Sequence, residues 1–176
     1  MATSTLVATA GSASANTYVT LAVADQYQDD RPPAGTTWSG ATDAEKNAAL
    51  LWATTLLDAL VEWTGWPAVA TTQALLWPRT GMWSRNGVAV PITIIPVELE
   101  EACAEYARQL LADDRAADSD IETKGIIGLK AGPVELDFKS TVAAKVVPDA
   151  IVNLLPGVWY TAIRGRHSMT AELQRA

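Results

Sequence analysis

Apolar residues recur at a helical spacing along most of the chain and alternate with polar ones over one short stretch. From Thr42 to about Glu62, Ala49, Ala53, Leu56, Leu57 and Leu60 fall on one stripe with Trp52 nearby, the period of a helix that buries one face. Thr42-Asp43-Ala44-Glu45 reads as a capping box, in which the threonine oxygen and the glutamate carboxylate each satisfy an orphan amide at the helix start. The predicted helix is roughly 30 Å long and is expected to be the central core helix. Trp63-Thr64-Gly65-Trp66-Pro67 ends it, since glycine suits a left-handed cap and proline cannot continue the ladder. A shorter helix is predicted from Thr20 to about Asp30, burying Leu21, Ala24 and Tyr27, until Arg31-Pro32-Pro33-Ala34-Gly35 stops it and a loop runs to Gly40. A further helix opens near Pro96, turns Val97, Ala102, Cys103, Tyr106, Ala107, Leu110 and Leu111 inward, and ends near Asp114. Pro148 opens a last short one, Asp149 to Leu155, closed by Pro156-Gly157.

The period changes at residues 125–139. Val134, Leu136 and Phe138 alternate with Glu135, Asp137 and Lys139, and Ala131-Gly132-Pro133 supplies a turn after Ile126 to Lys130, which predicts a β-hairpin. A lone hairpin is marginal in water, so this one is expected to pack on something else, a neighbouring subunit included. The expected fold class is mainly α: a small helical bundle around a long central helix, with a β-hairpin and extended N- and C-terminal arms. Residues 1–16 are almost all Ala, Ser, Thr and Gly, too little apolar surface to offset the entropy of ordering, and are expected to form a flexible arm. Residues 17–158 then make the domain and 159–176 a C-terminal tail, where Arg164, Arg166 and Arg175 face only Glu172.

Charge narrows the function. The 176 residues carry a formal net charge of −7, the wrong sign for a surface that grips phosphates throughout. Nine acidic residues lie between Glu98 and Glu122 against Arg108 and Arg115, so one face of the helix predicted from Pro96 and the loop after it are strongly negative. Cys103 has no intrachain disulfide partner and no CxxC neighbour for zinc, and is read as a small core residue. Ala13-Ser14-Ala15 imitates a signal-peptidase site only faintly, without a basic residue or a long apolar run before it, and Asp58 interrupts the best candidate for a membrane span. A soluble protein without a membrane partner is expected.

No phosphate-cradling loop, zinc motif or nucleophile elbow occurs, and neither an enzyme nor a cofactor, metal or catalytic residue is expected. His167, the single histidine, lies in the expected tail, a poor platform for general acid–base work. Asp29-Asp30 and Asp113-Asp114 read as solvated charge, since sequence neighbours on a helix do not face each other. Seven tryptophans against one phenylalanine is an unusual balance, and Trp63, Trp66, Trp77 and Trp83 crowd one stretch. Such rings stack single-stranded bases when a positive groove accompanies them. Only Arg79 and Arg85 are close by, which favours a core or subunit-contact role.

An opening at Asn16 to Asp25 (Asn-Thr-Tyr-Val-Thr-Leu-Ala-Val-Ala-Asp), a helix ending in Trp63, the block Ala74-Leu75-Leu76-Trp77-Pro78-Arg79-Thr80-Gly81 and Ile95-Pro96 before an acidic amphipathic helix follow in order. In that order they resemble the phage head-to-tail adaptor (connector) proteins, often labelled DnaT-like single-stranded-DNA-binding proteins. Gly132-Pro133-Val134-Glu135 and the helix after Pro148 also fit, so the likeness covers most of residues 14–156. The resemblance implies a structural virion protein: a ring subunit, dodecameric in such assemblies, below the portal in the neck of the particle, made in the host cytoplasm. It would connect capsid to tail and line the DNA channel. Its partners would be the portal protein, a tail or tail-completion protein and further copies of itself, with DNA only as passing cargo. Glu98, Glu101 and Glu105 are then the candidates for an acidic channel face, which would repel sliding DNA. Trp159, Tyr160, Arg164 and Arg166 are the candidates for a partner-docking tail, and Trp77, Pro78 and Arg79 for a structural motif. The alternative is single-stranded-DNA binding of the DnaT-like type, with the Trp63–Trp83 cluster and Arg79 as the platform.

Overall fold

In the computed structural model the described residues are 5–32, 36–69, 71–114, 128–131, 134–137 and 145–164, with 128–131 and 134–137 described by backbone alone. The chain is mainly helical. In order it forms α1 (Leu21–Asp29), α2 (Thr36–Ser39), α3 (Asp43–Leu60), β1 (Val61–Trp63), β2 (Trp66–Pro67), β3 (Arg79–Thr80), α4 (Val97–Ala112), β4 (Gly128–Ala131), β5 (Val134–Asp137), α5 (Asp149–Val152), a 3-10 turn (Gly157–Trp159) and β6 (Tyr160–Ile163).

The predicted start signals are realised. Thr42 Oγ1 accepts from the Glu45 amide at 3.4 Å while Glu45 Oε2 accepts from the Thr42 amide at 2.8 Å, closing the capping box of α3. Thr20 Oγ1 accepts from the Val23 amide at 3.3 Å and caps α1. Ala49, Ala53, Leu56 and Leu57 of α3 are buried as the stripe predicts, together with Leu50, whereas Leu60 is half-buried and Trp52 stands exposed. The helix at the centre is nevertheless α4, which touches α1, α2, α3 and α5. Leu99 and every residue from Ala102 to Ala107 are buried, so α4 is enclosed on most sides rather than along one stripe. α5 is shorter than predicted. Beyond Val152 the chain tightens into three-residue turns, with the Leu154 amide on Ile151 O and that of Leu155 on Val152 O, both at 3.1 Å.

One turn of helix, α2, replaces the loop expected before Gly40. Trp38 is buried there, its indole N–H donating to Asp25 Oδ1 at 2.8 Å, and the Lys46 ammonium reaches the same oxygen at 2.8 Å while lying 5.3 Å from the Trp38 ring centre. A single buried indole thus fastens α1 and α3 together across a segment whose composition reads as coil.

Both expected arms need correction. From Thr5 onward the N-terminal segment is held: Asn16 Oδ1 accepts from the Val7 amide at 2.8 Å and Asn16 Nδ2 donates to Thr5 O at 2.9 Å. The Ala74 amide donates to Ser12 O at 3.1 Å and Leu6 packs on the core. One asparagine side chain serves as both donor and acceptor, which compensates for the weak apolar content of residues 5–16. At the other end Trp159 is completely buried, and Tyr160–Ile163 form a strand antiparallel to β1, with Val61 opposite Ile163 and a bulge at Glu62/Trp63. The domain therefore extends to Arg164, not to residue 158.

The predicted hairpin is present as β4 and β5, with Gly128 opposite Asp137 and Ala131 opposite Val134. Among the described residues these strands pair only with each other. β2 and β3 pair at Trp66/Thr80 and Pro67/Arg79. Their close approach needs Gly65, the residue before β2, whose φ is +65° and whose missing Cβ would sit 2.2 Å from Thr80 O. Gly65→Ala is expected to lower stability by about 1–3 kcal/mol, read as a lower urea midpoint at unchanged slope.

Candidate functional site: the Trp77-Arg79 clamp and the α4 acidic face

Trp77 and Pro78 lead into β3, whose first residue is Arg79, and the block sits against the segment that follows α3. The Arg79 guanidinium is buried and spends its donors on backbone carbonyls: Nε to Thr64 O at 2.6 Å, Nη2 to Gly65 O at 2.8 Å and Nη1 to Leu76 O at 3.0 Å. A planar fork with fixed donors suits three carbonyls that converge from two loops, a geometry an ammonium cannot match. Trp77 is buried beside it, edge-on to Trp63 (centroids 5.5 Å apart, 88° between planes) and tilted against Trp159 (4.8 Å, 53°). The Trp159 indole N–H donates to Trp83 O at 2.7 Å, so the C-terminal strand is tied to the loop before α4. The block is a clamp joining three chain segments, and as a base-stacking platform it fails in two respects. Trp63 and Trp77 pack into the fold, and the Arg79 donors are occupied. Trp66 and Trp83 are the members left exposed, at 77% and 53%.

Behind the clamp, Tyr18 donates its hydroxyl to Asp58 Oδ1 and the Leu76 amide donates to Asp58 Oδ2 at 3.1 Å. Burial pushes the Asp58 carboxyl above the usual aspartate range, against the pull of these hydrogen bonds, and pushes the Tyr18 phenol well above its ordinary value, with the Asp58 charge adding to the effect. A carboxyl whose folded pKa is raised binds its proton more tightly in the fold than in the unfolded chain. Its contribution to stability is therefore full below the unfolded pKa of about 4 and is lost as pH rises through the folded value. Asp58→Asn, which removes the charge and keeps groups able to bond Tyr18 and Leu76, is expected to flatten that decline. Thermal midpoints of the two proteins between pH 4 and 7.5 check this, and parallel slopes would refute it.

The acidic face of α4 is smaller than the sequence predicts. Glu98 and Glu101 are half-buried at the surface, as is Glu100. Burial raises the Glu100 and Glu101 carboxyls above their ordinary value, Glu101 adding to the effect on Glu100 and Glu98 to that on Glu101. Glu105 does not belong with them. It is 2% exposed and paired to Arg31 Nε at 3.0 Å and Arg108 Nη2 at 2.5 Å, with Gln109 Nε2 at 3.2 Å. A carboxylate under α1 is tolerated because two guanidiniums neutralise it, so it offers no charge to a channel.

Of the expected docking tail, Trp159 is in the core, Tyr160 is half-buried in β6, and exposed Arg164 pairs with Glu62 at 3.1 Å. Arg166 and His167 lie outside the described residues. Cys103 is fully buried against Thr54 Oγ1 at 3.3 Å, and burial pushes its thiol up to about 12, as fits a core residue. Among the described residues no group of His, Cys, Asp or Glu side chains is arranged to hold a metal ion, and no helix is long and apolar enough to cross a membrane.

Two surface features were not legible in the sequence. Eight of the eleven exposed large apolar side chains among the described residues fall between Trp66 and Val97: Trp66, Val69, Leu76, Trp83, Val88, Ile92, Ile94 and Val97. And every Lys or Arg whose side chain is described is engaged. Beyond the pairs above, Lys145 bonds Asp149 at 2.5 Å and Arg85 bonds Asn153 O and Leu154 O at 2.8 and 2.7 Å. The model of one protein family matches residues 5–176, under the description "Putative DnaT-like ssDNA binding protein". No curated protein and no solved structure matches the chain.

Proposed function

The chain belongs to this DnaT-like family, and from that premise we propose that it is a non-catalytic assembly subunit, a head-to-tail adaptor that docks as a ring below a phage portal and passes the DNA channel on to a tail component. The observation that carries the reading is the run of exposed apolar side chains from Trp66 to Val97. A monomeric surface rarely concentrates tryptophan, isoleucine and valine in this way, whereas partner-docking surfaces do. The charge supports it. At −7, with its described cations already held by carboxylates and carbonyls, the protein suits a channel through which DNA slides without sticking. Glu98 and Glu101 are the residues for that lining, and a ring with them on its outside would overturn the assignment.

The family description favours a second reading, single-stranded-DNA binding, for which exposed Trp66 and Trp83 are the available stacking faces. Light scattering and an oligonucleotide titration separate the two. A chain that joins a cognate portal ring and leaves a labelled oligonucleotide free at low salt is the adaptor. Salt-sensitive binding with quenching of tryptophan fluorescence, and no portal binding, makes it the DNA-binding protein.

A further inference from the structure

The groove between α1 and α4 is an apolar trough with an acidic rim, and among the described residues nothing covers it. It holds about 690 Å³. Side chains at four-residue spacing form its walls: Val19, Val23 and Tyr27 from α1 and the turn before it, and Val97, Glu100 and Ala104 on the side of α4. Val23 and Val97 stand 44% and 61% exposed on this concave surface.

The charge of the rim selects the occupant. Asp30, Glu100 and Glu101 bring three carboxylates to the groove against one cation, Arg31, which is already bound to Glu105 at 3.0 Å. Among the described residues no lysine or arginine pairs with Asp30 or Glu100. Burial raises the Glu100 carboxyl above its ordinary value, so a cation arriving beside it relieves part of the cost of its charge. A second copy meeting the groove with its own groove would set one acidic rim against the other, which is repulsive. The described cations of such a copy are also engaged within it: Lys46 by Asp25, Lys145 by Asp149, and Arg79 and Arg85 by backbone carbonyls.

We propose that the α1–α4 groove binds a basic amphipathic helix of a different protein, its apolar stripe against Val23, Tyr27 and Val97 and its lysines or arginines opposite Asp30 and Glu100. A helix fits because rows of side chains at four-residue spacing leave grooves that the ridges of a third helix enter. Apolar anchors at that spacing supply the affinity, and the basic flanks fix the orientation and speed the encounter. The inference goes beyond the adaptor reading and does not rest on it, since a groove of this chemistry selects its partner whether or not the chain forms a ring.

Fluorescence anisotropy on the full chain tests it. The probe is a labelled synthetic helix with a leucine stripe flanked by lysines, and its twin carries glutamate in place of each lysine. The lysine helix is expected to bind the wild type, more weakly as salt is raised, and the twin to stay free. Asp30→Asn with Glu100→Gln, which removes both charges at nearly constant size, is expected to weaken binding about tenfold. Val97→Ser, at an exposed position, is expected to weaken it as well, while Glu62→Gln, which does not line the groove, leaves it unchanged. Far-UV circular dichroism checks that each variant folds, and light scattering on the same samples reads self-association. Equal binding of the two helices, or binding that ignores Asp30, Glu100 and Val97, overturns the proposal. So does a wild type whose self-association is lost in the Asp30→Asn with Glu100→Gln variant, because the occupant is then another copy of the chain.

Discussion

Trp77→Ala is expected to lower the stability of the fold by about 3–5 kcal/mol, the largest effect of any single substitution considered. The indole is 1% exposed and packs against both Trp63 and Trp159, which come from the strand after α3 and from the turn before β6. Truncation leaves a cavity that cannot collapse without moving one of those segments, because each is fixed by its own backbone pairing in β1 and β6. Trp77→Phe, which keeps an aromatic face, should retain roughly half of the loss or less. Chemical denaturation followed by circular dichroism reads both. A Trp77→Ala protein within 1 kcal/mol of the wild type would mean that the aromatic cluster is not what joins the C-terminal strand to the body.

Arg79→Ala is expected to cost about 2–4 kcal/mol, and Arg79→Lys to recover little of it. The loss comes from three carbonyls at once: those of Thr64, Gly65 and Leu76 all accept from the one guanidinium, and solvent reaches the site poorly. Lysine supplies the charge without the fork, so at most one or two of the acceptors find a donor in the right direction. The same substitutions bear on function. If Arg79 gripped nucleic acid, its removal would weaken oligonucleotide binding with stability intact. The geometry predicts the reverse, a destabilised protein whose affinity for DNA changes no more than its folded fraction does. Hydrogen exchange is expected to report the damage at Thr64 to Trp66 and at β3.

The acidic surface has a narrower consequence than its charge count suggests. Glu105 is the most deeply placed carboxylate of α4, and its two arginines draw α1 and α4 together from within. What remains on the outside is Glu98, Glu100 and Glu101, close to the N-terminal end of α4, where the helix dipole favours negative charge. A channel lining built from this chain would be supplied by one turn of helix rather than by its whole length.

Helix starts were legible in the sequence because they are local. Thr20, Thr42 with Glu45, Pro96 and Pro148 each act on amides within a few residues, and the structure places helix boundaries beside all four. The same holds for the hairpin, whose turn and alternation lie within a dozen residues. Local pattern misleads where a distant partner supplies what composition lacks. Residues 5–16 read as an arm because they are poor in apolar side chains, and Asn16 holds them. Trp38 reads as a loop residue because its partners, Asp25 and Lys46, lie on other helices.

By itself, then, the sequence determined the helical class, the caps, the hairpin and the negative balance that disfavours a phosphate-gripping surface, since each depends on spacing or on counting charge. The tertiary structure alone decided which of the charges and rings face solvent. Glu98 and Glu105 stand at indistinguishable positions in the acidic run, and one is at the surface while the other is sealed under Arg31 and Arg108. Trp66 and Trp77 belong to one tryptophan-rich stretch, and one is exposed while the other is the centre of a clamp. The physical reason is the same in both cases: burial depends on what the rest of the chain brings alongside, and that is set by contacts between residues tens of positions apart.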